Sequence, residues 1–281
     1  MTNFDPFNLD NTVYDESQIV YTSPGGESWL LAGTGHGVDD ADQRVTLLKG
    51  GYTGGDANPD ITYNDSPTGH GRWDTGEYTL PALEGELSVL INDTPATAGR
   101  TWRRWRASWS EYKDGTLRVI DRSGLNFWTT ARLKPGGRGD VDQDPALLRV
   151  IPDAVSWVGN LGHWWGTTRT FDAGQHVITA GGNMPPSTAL RWTGAASSVT
   201  FPTGVTVTLP SVTPGSYLID LNRGMSGHVT NADTGVTEHA VWAALRGRML
   251  GITLTPGETT TWTLTGGLTL EMTARYTSPW R

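Results

Sequence analysis

The sequence predicts an all-β protein of two successive β-sandwich domains, the first with a single α-helix. Three observations carry that expectation. Thirteen tryptophans, with threonine and valine throughout, suit the pleated, half-buried surface of a sheet. The 36 glycines and 16 prolines supply frequent turns. After Gly159 the chain alternates apolar and polar residues with a period of two, as strands do. Sheet packed on sheet is the architecture that buries such faces. At 281 residues, two domains are favoured over one, each large enough for its own core.

Gln18 to Thr22 reads as a strand, Pro24-Gly25-Gly26 as a turn, and Trp29-Leu30-Leu31 as the returning strand. Gly33 to Gly37 is a glycine-rich loop ahead of Asp39, Asp40 and Asp42. Gly50 to Pro67, rich in Gly, Asp, Asn and Pro, is expected to be a long loop. Glu77 to Leu80 and Leu87 to Ile91 are strands. The period then changes. Asp93-Thr94-Pro95 has the form of a helix start, a capping side chain followed by an early proline. Trp102, Trp105, Trp109 and Tyr112 follow at spacings of three, four and three, one face of a helix over about 95–113 that Asp114-Gly115 ends. Leu117 to Asp121, Ser123-Gly124 and Leu125 to Leu133 form a hairpin pattern, with Pro135 to Gly139 a loop beyond it. Ala146 to Trp157 is a long apolar strand, in which Pro152 implies a bulge or an edge position.

In the second half the strand patterns include Val205 to Leu209, Thr261 to Thr265 and Leu268 to Tyr276. Pro214-Gly215, Asp233-Thr234-Gly235 and Pro256-Gly257 are the turns between strands, and the pattern suits a β-sandwich or jelly roll. The composition shifts between Gly159 and Thr170, which sets domains at 1–164 and 165–281.

Composition and charge narrow the function classes. Without cysteine there is no disulfide, no thiolate metal site and no cysteine nucleophile. Met1 to Asp10 is polar and acidic, unlike a signal peptide, and no apolar run approaches the roughly 20 residues of a membrane span. The expectation is a soluble protein made in a cytoplasm, with no membrane anchor. A net charge of −8 argues against gripping nucleic acid through its phosphates, and no sequence-specific nucleic-acid binding is expected.

Individual constellations point away from chemistry. Asp140, Asp142 and Asp144 begin like a calcium loop, but Pro145 and Ile151 stand where its glycine and glutamate belong. The glycines of Gly33 to Gly37 do not follow the dinucleotide pattern, and the six histidines lack ligand spacing. Arg138-Gly139-Asp140 is an adhesive-type tripeptide with no other adhesive feature beside it. No catalytic, cofactor or metal site is expected, and the chain is read as not an enzyme.

Two groups are interface candidates instead. Arg103, Arg104 and Arg106 lie largely off the tryptophan stripe and are either a solvated face or a contact to an acidic neighbouring subunit. Trp164 and Trp165, beside His163 near the domain junction, are either an exposed interface anchor or packing between the domains. The stripe itself is core, since each tryptophan buries about 150–250 Å². At about 25 cal/mol per Å² that is roughly 4–6 kcal/mol each as an upper bound.

In the order of its elements the chain resembles the distal tail protein family of siphophages, in particular the minor tail proteins of phages that infect actinobacteria. The resemblance rests on the Gly26 to Trp29 turn, the strand, helix and hairpin from Glu86 through Leu133, and the segment Ile151 to Gly159. It continues with Gly182-Asn183-Met184-Pro185-Pro186, Leu190 to Gly194, Tyr217-Leu218-Ile219-Asp220, Leu254-Thr255-Pro256-Gly257, and the closing stretch from Ala274 through Trp280. The resemblance implies a ring-forming N-terminal domain, usually in a hexamer, and a galectin-like C-terminal domain. It implies neighbours: a tail tube protein, a tape-measure protein and a tail-tip hub protein, within the tail tip of a virion. A His-x-Asn-x-Arg sugar motif is absent around Asn222 and Arg223. The alternative is a host-binding tip protein whose second domain is a carbohydrate-binding module, with Trp192, Trp242 and Trp262 exposed on one concave face.

Overall fold

The structure is a computed structural model and describes residues 17–33, 41–65, 72–94, 96–139, 144, 148, 150–222, 227–245 and 251–280. It is mostly β, as its sequence pattern predicts. The chain divides into two compact units that part after Trp165, and the stretch from Tyr276 onward returns to the first.

The first unit is built from β1 (Gln18–Thr22), β2 (Ser28–Ala32), β3 (Val45–Gly54), β4 (Asp60–Asp65), β5 (Arg72–Thr79), β6 (Leu83–Asn92), α1 (Ala98–Ser108), β7 (Gly115–Ile120), β8 (Asn126–Arg138) and β9 (Val150–Gly159), with the first residues of β10 (Trp164–Phe171). One antiparallel sheet runs β2-β1-β7-β8. A second runs β3-β6-β9-β8. The long β8 serves both: Asn126 to Ala131 pairs with β7, and from Arg132 the strand pairs with β9. Its alternation buries Phe127, Thr129, Ala131 and Leu133, and Tyr21, Trp29, Trp105, Trp157 and Trp164 are the large buried side chains of the same unit.

The helix is shorter than its sequence pattern suggests. It begins at Ala98, and Trp109 already has extended backbone, φ -95 and ψ 123. The tertiary contact of Trp109 explains the stop. Its ring stacks on Tyr21 at 3.7 Å, so the chain must leave the helical path to lay it there. The carbonyl of Ser108 is satisfied by the Tyr21 hydroxyl at 3.0 Å, and that of Trp105 by the Ser108 hydroxyl at 2.6 Å. The stripe is therefore core at Trp105 and Trp109, half-buried at Trp102, and out in solvent at Tyr112, which is 89% exposed.

Two expected loops are strands. Gly50 to Pro67 is not a long loop: β3 runs through Gly54 and β4 starts at Asp60, while Pro67 lies outside the described residues. The glycines that signalled a loop permit close strand pairing. Gly54 has φ +74, and a Cβ there would sit 2.3 Å from the Glu84 carbonyl oxygen. Likewise Pro135 to Arg138 continues β8 through a register shift against β9, with Gly136 at φ +72. Among the described residues β8 pairs with β9 only as far as Val155, so Pro152 has a described partner strand on one side alone, where its missing N–H is tolerated. The β9 strand starts at Val150, and Ala146 lies outside the described residues.

The second unit is a sandwich. One sheet holds β16 (His228–Asn231), β15 (Tyr217–Asp220), β12 (Met184–Trp192), β18 (Leu268–Tyr276) and β10 in that order. The other holds β11 (Gly174–Thr179), β17 (Thr259–Thr265), β13 (Ser197–Thr200) and β14 (Thr206–Leu209). Alternate residues from both, among them Leu190, Trp192, Val199, Ile219, Trp262, Leu264, Leu270 and Met272, form one buried cluster. A short helix that the sequence pattern did not suggest, α2 (His239–Leu245), buries Val241 and Leu245 one turn apart. Seven residues offer too few repeats for a helical period to stand out from the surrounding strand pattern.

Candidate interaction surfaces

The first unit concentrates its charges around α1. Asp93, just before the helix, accepts hydrogen bonds from the Thr97 and Thr101 hydroxyls and from the Thr94 backbone N–H, all at 2.7 Å. It thus ties the first turn through side-chain hydroxyls, whereas the N-cap residue Thr97 makes no side-chain capping bond. Pro95 lies outside the described residues. The Thr101 and Thr97 bonds, then the Thr94 N–H and the charge of Arg44 at 3.2 Å, outweigh desolvation and hold the Asp93 carboxyl at about 2. Asp42 is desolvated, yet hydrogen bonds from the Arg44 side chain and backbone and the charges of Arg44 and Arg104 bring its carboxyl below the usual range. The bond to Asp42 in turn raises Arg44.

The predicted interface arginines divide. Arg104 bonds Glu27, with Nε at 2.6 Å, reaches Asp42 at 3.2 Å, and lies over the Trp29 ring at 5.0 Å. Arg106 grips Asp153 through both carboxylate oxygens, at 2.6 and 3.1 Å, donates to the Gly139 carbonyl at 2.6 Å, and covers the Trp102 ring at 4.7 Å. These two are occupied within the chain, binding α1 to β2 and β9, while Arg103 is exposed. In the Arg138-Gly139-Asp140 tripeptide, Gly139 is engaged on both sides, since its N–H bonds the Ala154 carbonyl. Asp140 and Asp142 lie outside the described residues, as do Met1 to Asp10, the loop from Thr34 to Gly37 with Asp39 and Asp40, and Arg223.

Trp164 and Trp165 point to opposite fates. The Trp164 ring is buried in the first unit, its indole N–H donating to the Gly55 carbonyl at 2.7 Å and its edge set against Trp157. Trp165 is half-buried and stacks on Trp128 at 6.0 Å, with His163 against it at 4.5 Å. Trp128, which the sequence reading did not single out, is the more exposed partner. Its signal was available: Asn126, Trp128, Thr130 and Arg132 are the alternate residues of a strand whose other positions are apolar or small.

Of the three tryptophans expected on a concave sugar-binding face, Trp192 and Trp262 are fully buried in the sandwich core, and only Trp242 reaches the surface. The alternation that looked like an aromatic face is the inner face of each sheet.

No protein-family model matches the chain, and no curated protein matches it. Among solved structures, the chain is similar to the SPP1 Dit (gp 19.1) protein, described as a paradigm of the hub adsorption apparatus in phages that infect Gram-positive bacteria. The TM-score is 0.57 and the identity 14%, over 92% of this chain and 98% of that one. At that identity the likeness is one of fold, and it extends over both units.

Proposed function

We propose that the chain is a non-enzymatic structural protein of a long-tailed phage virion, a distal tail protein whose copies form a ring, hexameric by family resemblance, between the tail tube and the tail-tip complex. The observation that carries this reading is the shared fold over nearly the full length of both this chain and SPP1 Dit. The ordered sequence resemblance, with its implied galectin-like second domain, supports it independently. The partners of that role are the tail tube protein, the tape-measure protein in the lumen and the tail-tip hub protein. Summed over six copies the acidic excess is on the order of −50, which would leave DNA free to pass an acidic lumen.

A ring needs heterologous contacts, one patch against a different patch on the next copy. The hairpin β4–β5 suits such a contact. Among the described residues its strands pair only with each other. A two-stranded sheet alone in water is marginally stable, and docking on a neighbour would fix it. Electron micrographs of the purified chain and of virion tail tips test the reading. Rings of copies, and the chain among virion proteins, are expected. A monomer at every concentration together with absence from virions would end it.

A further inference from the structure

The first unit is completed by residues that follow the whole of the second. Tyr276, at the end of β18, is buried and meets the Phe127 ring edge-on at 4.9 Å. The Thr277 carbonyl accepts a hydrogen bond from the Ala57 N–H at 2.7 Å. Ser278 is 2% exposed, and Pro279 beside it is buried. Trp280 sets its ring edge-on to Tyr52 at 5.7 Å.

Several of these contacts converge on one connection. Gly55 to Pro59 joins β3 to β4 and is the root of the β4–β5 hairpin. Gly55 donates its N–H to the Glu84 carbonyl at 2.8 Å, and its own carbonyl accepts from the Trp164 indole at 2.7 Å. It has φ +77, and a Cβ there would run into the Tyr52 hydroxyl. Ala57, two residues on, is buried and makes the bond to Thr277. The root is thus held by Trp164, which opens the strand leading into the second unit, and by Thr277, just past the strand leading out of it.

Chain closure decides when these bonds can form. Within the second unit β10 and β18 are neighbours in one sheet, with the Thr168 and Thr273 hydroxyls bonded at 2.8 Å. Once folded, that unit holds its entering and leaving strands side by side. Unfolded, it would leave Tyr276 to Trp280 hanging on a loop of about 110 residues, and their local concentration would fall by about a thousandfold, since closure scales as the three-halves power of loop length. We propose that Tyr276 to Trp280 is a strap that closes the first unit, and fixes the root of the hairpin, only once the second unit has folded. The mechanism stands on these contacts, and its use rests on the ring reading above. A copy whose second unit is unfinished would carry an unfixed hairpin and stay out of the ring.

Hydrogen exchange of full-length chains tests the strap, read at the Gly55 and Ala57 amides. S278R puts a bulky charge at a buried strap position, and L190D puts a carboxylate in the core of the second unit, where Leu190 is fully buried. S278R should speed exchange at both amides by about tenfold or more and leave the amides of β13 and β17 unchanged. L190D should speed the same two amides by a similar factor, although no residue of the first unit is altered, while β6 and β9 stay protected. Native rates at Gly55 and Ala57 in either variant overturn the strap. Loss of β6 and β9 together with the root in L190D also overturns it, because the chain would then be one cooperative body with no separate closing step. Negative-stain micrographs separate the strap from the ring reading. The chain without residues 276–281 should form no rings, and native-like rings from it overturn the strap's role in assembly and leave the ring reading standing. A native chain that never self-associates, with exchange as expected, ends the ring reading and supports the strap.

Discussion

The two units reach stability by different means. The first buries Tyr21, Trp29, Trp105, Trp109, Phe127, Trp157 and Trp164, and joins its helix to its strands through Glu27, Arg104, Asp42, Arg44 and Asp93 and through the Arg106–Asp153 pair. The second is a regular sandwich with a largely aliphatic core, and its described ion pair, Arg191–Glu271, lies at the surface. Geometry accounts for the difference. Ladder hydrogen bonds and alternation place every strand of a sandwich, but no ladder places a helix packed beside a sheet. Large rings and directional ion pairs do that instead.

The largest expected effect follows from this. Trp105 lies edge-on to Tyr21, Trp29 and Trp109 at 5.5 to 6.1 Å. Its indole N–H, like those of Trp29, Trp109 and Trp157, is buried without a hydrogen-bond partner, so the contribution of the ring is packing alone. Trp105→Ala should cost about 3–5 kcal/mol of unfolding free energy. Trp105→Phe should cost clearly less, since it also removes an unsatisfied N–H. Guanidinium midpoints check both, and equal losses would show that the N–H is satisfied in solution.

Next come the ion pairs. The Asp153 side chain is 1% exposed and that of Arg106 17%, against 21% for Glu271 and 46% for Arg191. Arg106→Ala leaves a buried carboxylate without its cation and should cost about 3–5 kcal/mol. Arg191→Ala should cost no more than about 1 kcal/mol. Similar losses for the two would mean that the burial difference between the units has no energetic weight.

Acid should act on the first unit through Asp93 and Asp42. Both carboxyls are lowered in the folded chain, so their stabilisation is present above the ordinary carboxylate value and is lost as pH falls through the folded value. For Asp93 the window runs from about 4 in the unfolded chain down to about 2 in the folded one. Urea midpoints measured across that window should fall for the native chain and fall less steeply for Asp93→Asn. A slope unchanged by the substitution would remove Asp93 from the account.

The same contrast decides what was legible in the sequence. Alternation located β1 and β18 to the residue and the strand that carries Trp262, because a period of two is local, but it did not show that Trp262 points inward. The helical stripe located Trp105 and Trp109, but not the end of α1, which is set by Tyr21 some 90 residues earlier in the chain. Glycine content misled at Gly50 to Gly54 and Gly136, since a glycine at a strand irregularity looks in sequence like a glycine in a loop. The pairing of Arg104 and Arg106 within the chain was invisible for a related reason, because their carboxylates come from Glu27 just before β2, from Asp42 and from Asp153 on β9. The outward face at Trp128 was readable from alternation, and only its register with Trp165 needed the fold.

The smallest effect tests the second unit on its own terms. The outer face of its four-stranded sheet is lined with threonines whose hydroxyls pair across strands, Thr179 with Thr259 at 2.9 Å and Thr200 with Thr206 at 2.8 Å. These pairs are exposed, so water replaces a lost partner and little is left unsatisfied. Thr200→Val keeps the β-branched shape and should change stability by no more than about 0.5 kcal/mol, whereas Thr200→Gly should cost about 1 kcal/mol through lost strand propensity. If the valine variant proved as costly as the glycine one, the hydroxyl ladder would be a structural network comparable to the ion pairs of the first unit, and the division between a unit held by directional contacts and one held by regular packing would not stand.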